Sequence, residues 1–169
     1  MILGMSVGAF TILHVIITLV AIGSGLIVVG GMFASNRLPL TTALFLFTTA
    51  LTSVSGFLFP IHGFTPALGV GIVACVVLAV ALLALYKERL VGPWRWIYVI
   101  TAVASLYLNV FVLVVQSFMK VSALNALAPM QTEPPFAVTQ ASVLAIFILI
   151  TLIAIIKFRP FQSDAGPAL

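Results

Sequence analysis

The segment Ile100–Lys120, ITAVASLYLNVFVLVVQSFMK, determines the fold that we expect for this chain. In an α-helix its polar residues would lie within an arc of about 100°, and most of the remaining surface would be apolar. These polar residues are Thr101, Ser105, Asn109, Gln116 and Lys120. The stripe would be roughly 29 Å long, about the thickness of a membrane's hydrocarbon core. Because lipid offers no hydrogen-bond partners, we expect the stripe to face protein or water.

The composition of the whole chain supports a membrane environment. Of its 169 residues, 63% are hydrophobic and 6% are charged, and the mean hydropathy is +1.36. Such a composition is typical of a polytopic membrane protein and excludes a water-soluble domain. The seven Lys and Arg residues are too few and too scattered for a nucleic-acid surface. The single cysteine, Cys75, excludes an internal disulfide.

Five apolar runs reach the length of about 20 residues that a membrane-spanning helix requires. They cover residues 5–31, 40–59, 66–86, 96–118 and 136–156. We therefore predict an all-α membrane protein, a bundle of five transmembrane helices in a single domain over residues 1–161. The C-terminal tail, 162–169, is expected to be flexible.

The basic residues between these runs predict the orientation in the membrane. With five spans, one side carries six of them and the other side carries only Lys120. Cytoplasmic loops are the ones enriched in Lys and Arg, so we expect the N-terminus outside and the C-terminus in the cytoplasm. The six are Arg37, Lys87, Arg89, Arg95, Lys157 and Arg159.

Polar groups of several predicted helices would then meet near the outer leaflet. His14 lies about two turns into the first helix, Gln116 and Lys120 end the fourth, and Gln140 begins the fifth. A stripe on the second helix would bring His62 to the same end, provided that this helix continues past Pro60. The other members of that stripe are Thr48, Thr52, Ser55 and Phe59.

From this convergence we expect a ligand pocket. His14, Asn109, Gln116 and Lys120 would line it, and His62 would lie at its entrance together with the connection 121–135. In that connection, Ser122 is predicted to cap a helix of one or two turns.

The residues leave three interpretations open. In the first, the cluster is a non-enzymatic site for a lipid- or quinone-like ligand or for a partner membrane subunit. In the second, Asn109 and Gln116 only hold the helices together, and Lys120 either extends to the membrane interface alone or pairs with Glu133. In the third, His14 and His62 are the axial ligands of a b-type haem, or metal ligands together with Cys75 or Glu133.

Hydrolytic chemistry is disfavoured. The three acidic residues are dispersed: Glu88 and Asp164 fall on the predicted cytoplasmic side and Glu133 on the other, so no paired carboxylates can form. A Glu133–His62 dyad would be the one remaining acid–base arrangement.

Three segments carry a resemblance to a known group of proteins. They are SGFLFPIHGFTPA (Ser55–Ala67), WRWIYVITAVASLYLNVFVLVVQSF (Trp94–Phe118) and ALAPMQTEPPF (Ala126–Phe136). In these segments the chain resembles a family of small, functionally uncharacterised bacterial inner-membrane proteins. The resemblance implies a multi-pass protein of the bacterial inner membrane. It implies no activity, cofactor or catalytic residue.

Overall fold

All regular structure in the described part of the chain is helical, so the all-α prediction is confirmed. The computed structural model describes residues 1–60, Gly63 and 66–160, and no strand occurs among them. The helices are α1 (Val7–Phe33), α2 (Pro39–Gly56), α3 (Pro66–Leu82), α4 (Trp94–Lys120), α5 (Ser122–Leu127) and α6 (Pro134–Lys157). A π-helical turn, Leu83–Lys87, extends α3.

Four helical segments among these residues are long and apolar enough to cross a membrane. They are Val7–Phe33, Ala67–Lys87, Trp94–Lys120 and Pro134–Lys157. The predicted second span falls on α2, which has 18 residues and carries threonines and serines along its length. The buried hydroxyl groups explain why this helix is less apolar than the others. Thr48, for example, donates a hydrogen bond to the carbonyl oxygen of Leu44 at 2.7 Å.

Helix α2 ends at Gly56, three residues before the predicted end at Phe59. Glycine weakens a helix, and the residue before Pro60 is biased away from helical backbone angles. The condition for placing His62 on this helix, a helix continuing past Pro60, is therefore not met.

Helix α4 lies at the centre of the bundle. It contacts every other helix and the π-helical turn. By contrast, α6 has just two buried residues, Phe147 and Ala154, and otherwise presents a largely apolar surface. Such an exposed apolar surface is what a helix in contact with lipid tails presents.

A close contact at Gly25 sets the relative heights of α1, α2 and α4. A Cβ atom at Gly25 would lie 2.7 Å from Leu106 Cδ1 and 2.9 Å from Phe45 Cε2. Arg37 and Arg95 line one cleft, so α1 ends near the start of α4 and the two helices are antiparallel. His14 precedes Gly25 by 11 residues and Ser117 follows Leu106 by 11. Because the two helices are antiparallel, both lie about 16 Å from this contact at the same level.

Candidate functional site

His14 is held in the seam between α1 and α2. Its Nδ1 lies 2.8 Å from the hydroxyl oxygen of Ser55, and that hydroxyl donates to the carbonyl oxygen of Thr52 at 3.2 Å. Since a serine hydroxyl has one proton to donate, Nδ1–H of His14 is the donor to Ser55. In the neutral ring Nε2 is then an acceptor, and no described residue forms a hydrogen bond to it.

Aromatic and hydroxyl groups enclose the half-buried imidazole. The ring of Phe59 packs against it edge to face, with centroids 5.3 Å apart and an interplanar angle of 90°. Phe59 in turn packs on Phe10 at 5.1 Å. One turn further along the seam, the hydroxyl oxygens of Thr18 and Thr52 are 3.3 Å apart. This seam fixes the position of the imidazole ring.

Asn109 forms an interhelical hydrogen bond inside the bundle. Its side chain is 7% exposed, and Nδ2 donates to the hydroxyl oxygen of Thr49 on α2 at 3.2 Å. Asn109 is eight residues before Ser117, about 12 Å of helix below the level of His14. It therefore ties α4 to α2 at a separate level from the histidine.

Gln116 and Lys120 continue the face of α4 that carries Asn109. At 100° per residue, both lie within about 20° of Asn109 around the helix, so both are directed to the side where α2 packs. Counted from the Asn109–Thr49 contact, Gln116 is level with Gly56, the last residue of α2, and Lys120 lies about one turn beyond it. Both side chains are exposed, and neither forms a hydrogen bond within the described part of the chain. Lys120 is near enough to His14 for an electrostatic interaction between them.

We name His14, Gln116 and Lys120 the α2-end cluster, because the three side chains flank the C-terminal end of α2. Ser55 and Phe59 complete its described surroundings on the α2 side. Of the five residues predicted for the site, His14 and Lys120 are near each other, Gln116 shares the helix face of Lys120, and Asn109 lies deeper in the bundle; that they form a ligand pocket stays a prediction. His62, the fifth, lies outside the described residues, so its predicted place at the entrance stays a prediction.

Glu133 is engaged locally. One carboxylate oxygen accepts the backbone N–H of Met130 and the other that of Thr132, each at 3.0 Å. These donors, Met130 first, hold the pKa of Glu133 below its ordinary value. Within the described part of the chain Glu133 and Lys120 form no ion pair, so of the two alternatives for Lys120 the pairing with Glu133 is not observed. Ser122 begins α5 but does not cap it, since no side chain forms the cap hydrogen bond.

Gln140 ties α6 to α4. Its Nε2 donates to the carbonyl oxygen of Phe111 at 3.2 Å, while its Oε1 is buried without a protein partner among the described residues. Its amide is thus directed towards α4 and does not belong to the α2-end cluster.

Residues that could bind a metal are dispersed in the described part of the chain. Within 1–60 and 66–160, no group of three or more His, Cys, Asp or Glu side chains could hold an ion. Cys75 is a half-buried free thiol on α3.

The α2-end cluster contains three kinds of polar group that can form hydrogen bonds. The imidazole of His14 lies against the ring of Phe59, and an imidazole acceptor, an amine and a carboxamide are groups that can bind a polar head group attached to an apolar body. Comparison with known proteins adds no assignment: no protein-family model matches the chain, and no curated protein or solved structure matches it either.

Proposed function

We propose that this chain is a small multi-pass protein of the bacterial inner membrane that binds a lipid- or quinone-like ligand, or a partner membrane subunit, without catalysing a reaction. The site is the α2-end cluster. One observation carries the proposal: on the face of α4 that α2 covers lower down, Gln116 is level with the end of α2 and Lys120 lies about one turn beyond it, and both are exposed near the level of His14. A polar face left exposed at the edge of the hydrocarbon layer requires a polar partner.

The groups in the cluster define the head group that would bind. Lys120 and the Gln116 amide donate to a carbonyl or phosphate oxygen, and His14 Nε2 accepts from a hydroxyl. The half-buried Phe59, which packs on the buried Phe10, offers an apolar surface to the remainder of the ligand. A quinone or quinol head and a lipid glycerol head each carry such oxygens on an apolar body.

The proposed topology has five spans with the N-terminus outside. By its 18 residues, α2 is about 27 Å long, close to the thickness of the hydrocarbon core. Arg37 from the α1–α2 connection, Arg95 from the start of α4 and Arg159 from the segment after α6 line one cleft. A topology in which every second connection lies on the same side accounts for that arrangement.

The test measures what stays bound to the protein after purification in mild detergent. Extracted lipids and quinones are quantified by mass spectrometry for the wild type, for Gln116→Leu/Lys120→Gln, and for the control Lys157→Gln. We expect the double variant to retain the ligand about tenfold less well, the effect of losing one hydrogen bond to a charged group. The control removes the same charge at the other end and should behave as wild type.

A partner subunit would be found in the same samples as a stoichiometric protein that the double variant no longer holds. If lipid, quinone and protein partners are all retained equally by the double variant and the control, the α2-end cluster is not a binding site.

The second candidate function is a b-type haem redox protein with His14 and His62 as ligands. One observation favours it: the Nδ1–H of His14 is fixed by Ser55, which leaves Nε2 directed for iron, as in most metal-bound histidines. An absorption spectrum distinguishes the two functions. A Soret band that is lost in both His14→Ala and His62→Ala would establish the haem protein, and its absence from protein produced with a haem supply would exclude it.

A further inference from the structure

Three arginines surround a cleft at the end of the bundle opposite the α2-end cluster. The cleft has a volume of about 440 Å³. It lies where the α1–α2 connection, the α3–α4 connection and the segment after α6 meet. Its lining residues are Arg37, Leu90, Gly92, Arg95, Arg159 and Pro160. We name it the arginine cleft.

Hydrogen bonds fix the walls of the arginine cleft. Arg95 donates through Nη1 to the carbonyl oxygens of Ile155, at 3.0 Å, and Phe158. These are carbonyl groups at the C-terminal end of α6, which attract a cation. On the other side, the backbone N–H of Arg159 donates to the hydroxyl oxygen of Ser35 at 2.9 Å. These hydrogen bonds join the segment after α6 to the start of α4 and to the α1–α2 connection, so the fold itself holds the walls of the cleft in place.

The arginine cleft has an excess of positive charge. None of its described lining residues is acidic, and no ion pair to Arg37, Arg95 or Arg159 occurs within the described part of the chain. The guanidinium groups of Arg37 and Arg159 are exposed and donate no hydrogen bond to described residues. Like charges around one cleft repel each other, and a bound anion removes that repulsion.

We propose that the arginine cleft binds a phosphate-bearing anion, either the head group of an anionic phospholipid or a soluble phosphate ester. Guanidinium groups donate two parallel hydrogen bonds to phosphate oxygens, which a single ammonium cannot do. The volume is many times the roughly 30 Å³ that one water occupies, so a head group with its hydration fits. Trp94 and Trp96 flank Arg95, and tryptophan is enriched at the interface where lipid phosphates lie. This proposal does not depend on the function proposed above.

The experiment compares two variants that lose the same charge at the same end. Arg37→Gln/Arg159→Gln removes two guanidinium groups from the cleft but keeps Arg95, which also holds the end of α6. Lys87→Gln/Lys157→Gln removes two exposed cations that do not line the cleft. A third variant, Arg37→Lys/Arg159→Lys, keeps the charge and removes the paired donors. The probes are phosphatidylglycerol, phosphatidylcholine and glycerol 3-phosphate, with binding followed by native mass spectrometry and by the melting temperature in detergent.

Wild type and the control Lys87→Gln/Lys157→Gln (the lysine control) should bind an anionic probe equally well. Arg37→Gln/Arg159→Gln should bind it about tenfold less well, and Arg37→Lys/Arg159→Lys should have an affinity between the two. Selective retention of phosphatidylglycerol over phosphatidylcholine identifies a lipid head group, whereas stabilisation by glycerol 3-phosphate identifies a soluble ester. If the arginine-to-glutamine variant binds both anionic probes as the lysine control does, the proposal is wrong. Should that double variant fail to fold, Arg159→Gln alone, with Lys157→Gln as its control, must give the same contrast.

Discussion

Two glycines of α1 that are separated by one residue allow a sharp test of how the bundle is packed. Gly25 is buried, and a Cβ atom there would meet Leu106 Cδ1 at 2.7 Å and Phe45 Cε2 at 2.9 Å. Gly23 is exposed, with no atom within 4 Å of the corresponding position. The change in each case is to alanine, so the intrinsic gain in helix propensity, up to about 1 kcal/mol, is the same at both sites.

The expected difference between the two variants is therefore the cost of overpacking alone. Leu106 and Phe45 are each 1% exposed, so neither side chain can move away into free space. Inserting a methylene-sized group into such a core costs about 1–3 kcal/mol. We expect Gly23→Ala to be neutral or stabilising, and Gly25→Ala to be less stable than Gly23→Ala by that amount.

The assay is reversible unfolding in mixed detergent micelles, with the free energy of unfolding extrapolated to native conditions. Combining Gly25→Ala with Leu106→Ala should cost less than the sum of the two single changes, because the nearest clashing atom is then absent. Equal stability of Gly23→Ala and Gly25→Ala, within about 0.5 kcal/mol, would refute the contact. That result would also refute the inference that His14 lies at the same height in the bundle as the end of α4, since this inference is measured from the Gly25 contact.

Three further predictions concern single polar contacts. Thr49→Val should destabilise the bundle by about 1 kcal/mol, and should cost little once Asn109→Ala has removed its donor, as a double-mutant cycle would measure. The carboxyl carbon of Glu133, followed by NMR, should titrate below its ordinary pKa. Because the carboxyl pKa is depressed, its stabilisation of the loop is present above pH 4.5, the ordinary value. The stabilisation is lost as the pH falls through the folded-state pKa. The stability of Glu133→Gln should not change with pH over that range. Arg95→Ala should lower the amide-exchange protection of Phe158 and of the last turn of α6, and unchanged protection would contradict the bonds described there.

The sequence allowed the course of α4 to be predicted because one physical requirement dominates there. Polar side chains on a helix in lipid must face inward, and a period of 3.6 residues then identifies the inner side. The buried Ser105 and Asn109 lie on that side. By contrast, the end of α2 could not be read from hydrophobicity, because the apolar residues continue to Phe59 while the helix stops at Gly56.

The partners of individual polar groups could not be predicted for a different reason. A hydroxyl or carboxylate chooses among several donors and acceptors, and local ones constrain the fewest side-chain torsions. Thr101 thus donates to the carbonyl oxygen of Ile97, in its own helix. Glu133 likewise accepts from backbone N–H groups beside it in sequence instead of holding a lysine of another element. The hydrophobic pattern of the sequence therefore indicates which helix face a residue occupies, but its hydrogen-bond partner depends on distances that the sequence does not give.

The length of α2 decides how the polar face of α4 is used. Where α2 runs alongside, Asn109 closes an internal hydrogen bond with Thr49, and the face contributes to packing. Beyond Gly56 the same face continues for about one more turn, from Gln116 at the end of α2 to Lys120, and Lys120 lacks that cover from α2. One further turn of α2 would bring its side chains to the level of Lys120 and cover that end of the proposed site with another helix contact. The position of Gly56 is therefore a determinant of the proposed site, although it touches no ligand, and variants that lengthen α2 should close the α2-end cluster without altering any residue within it.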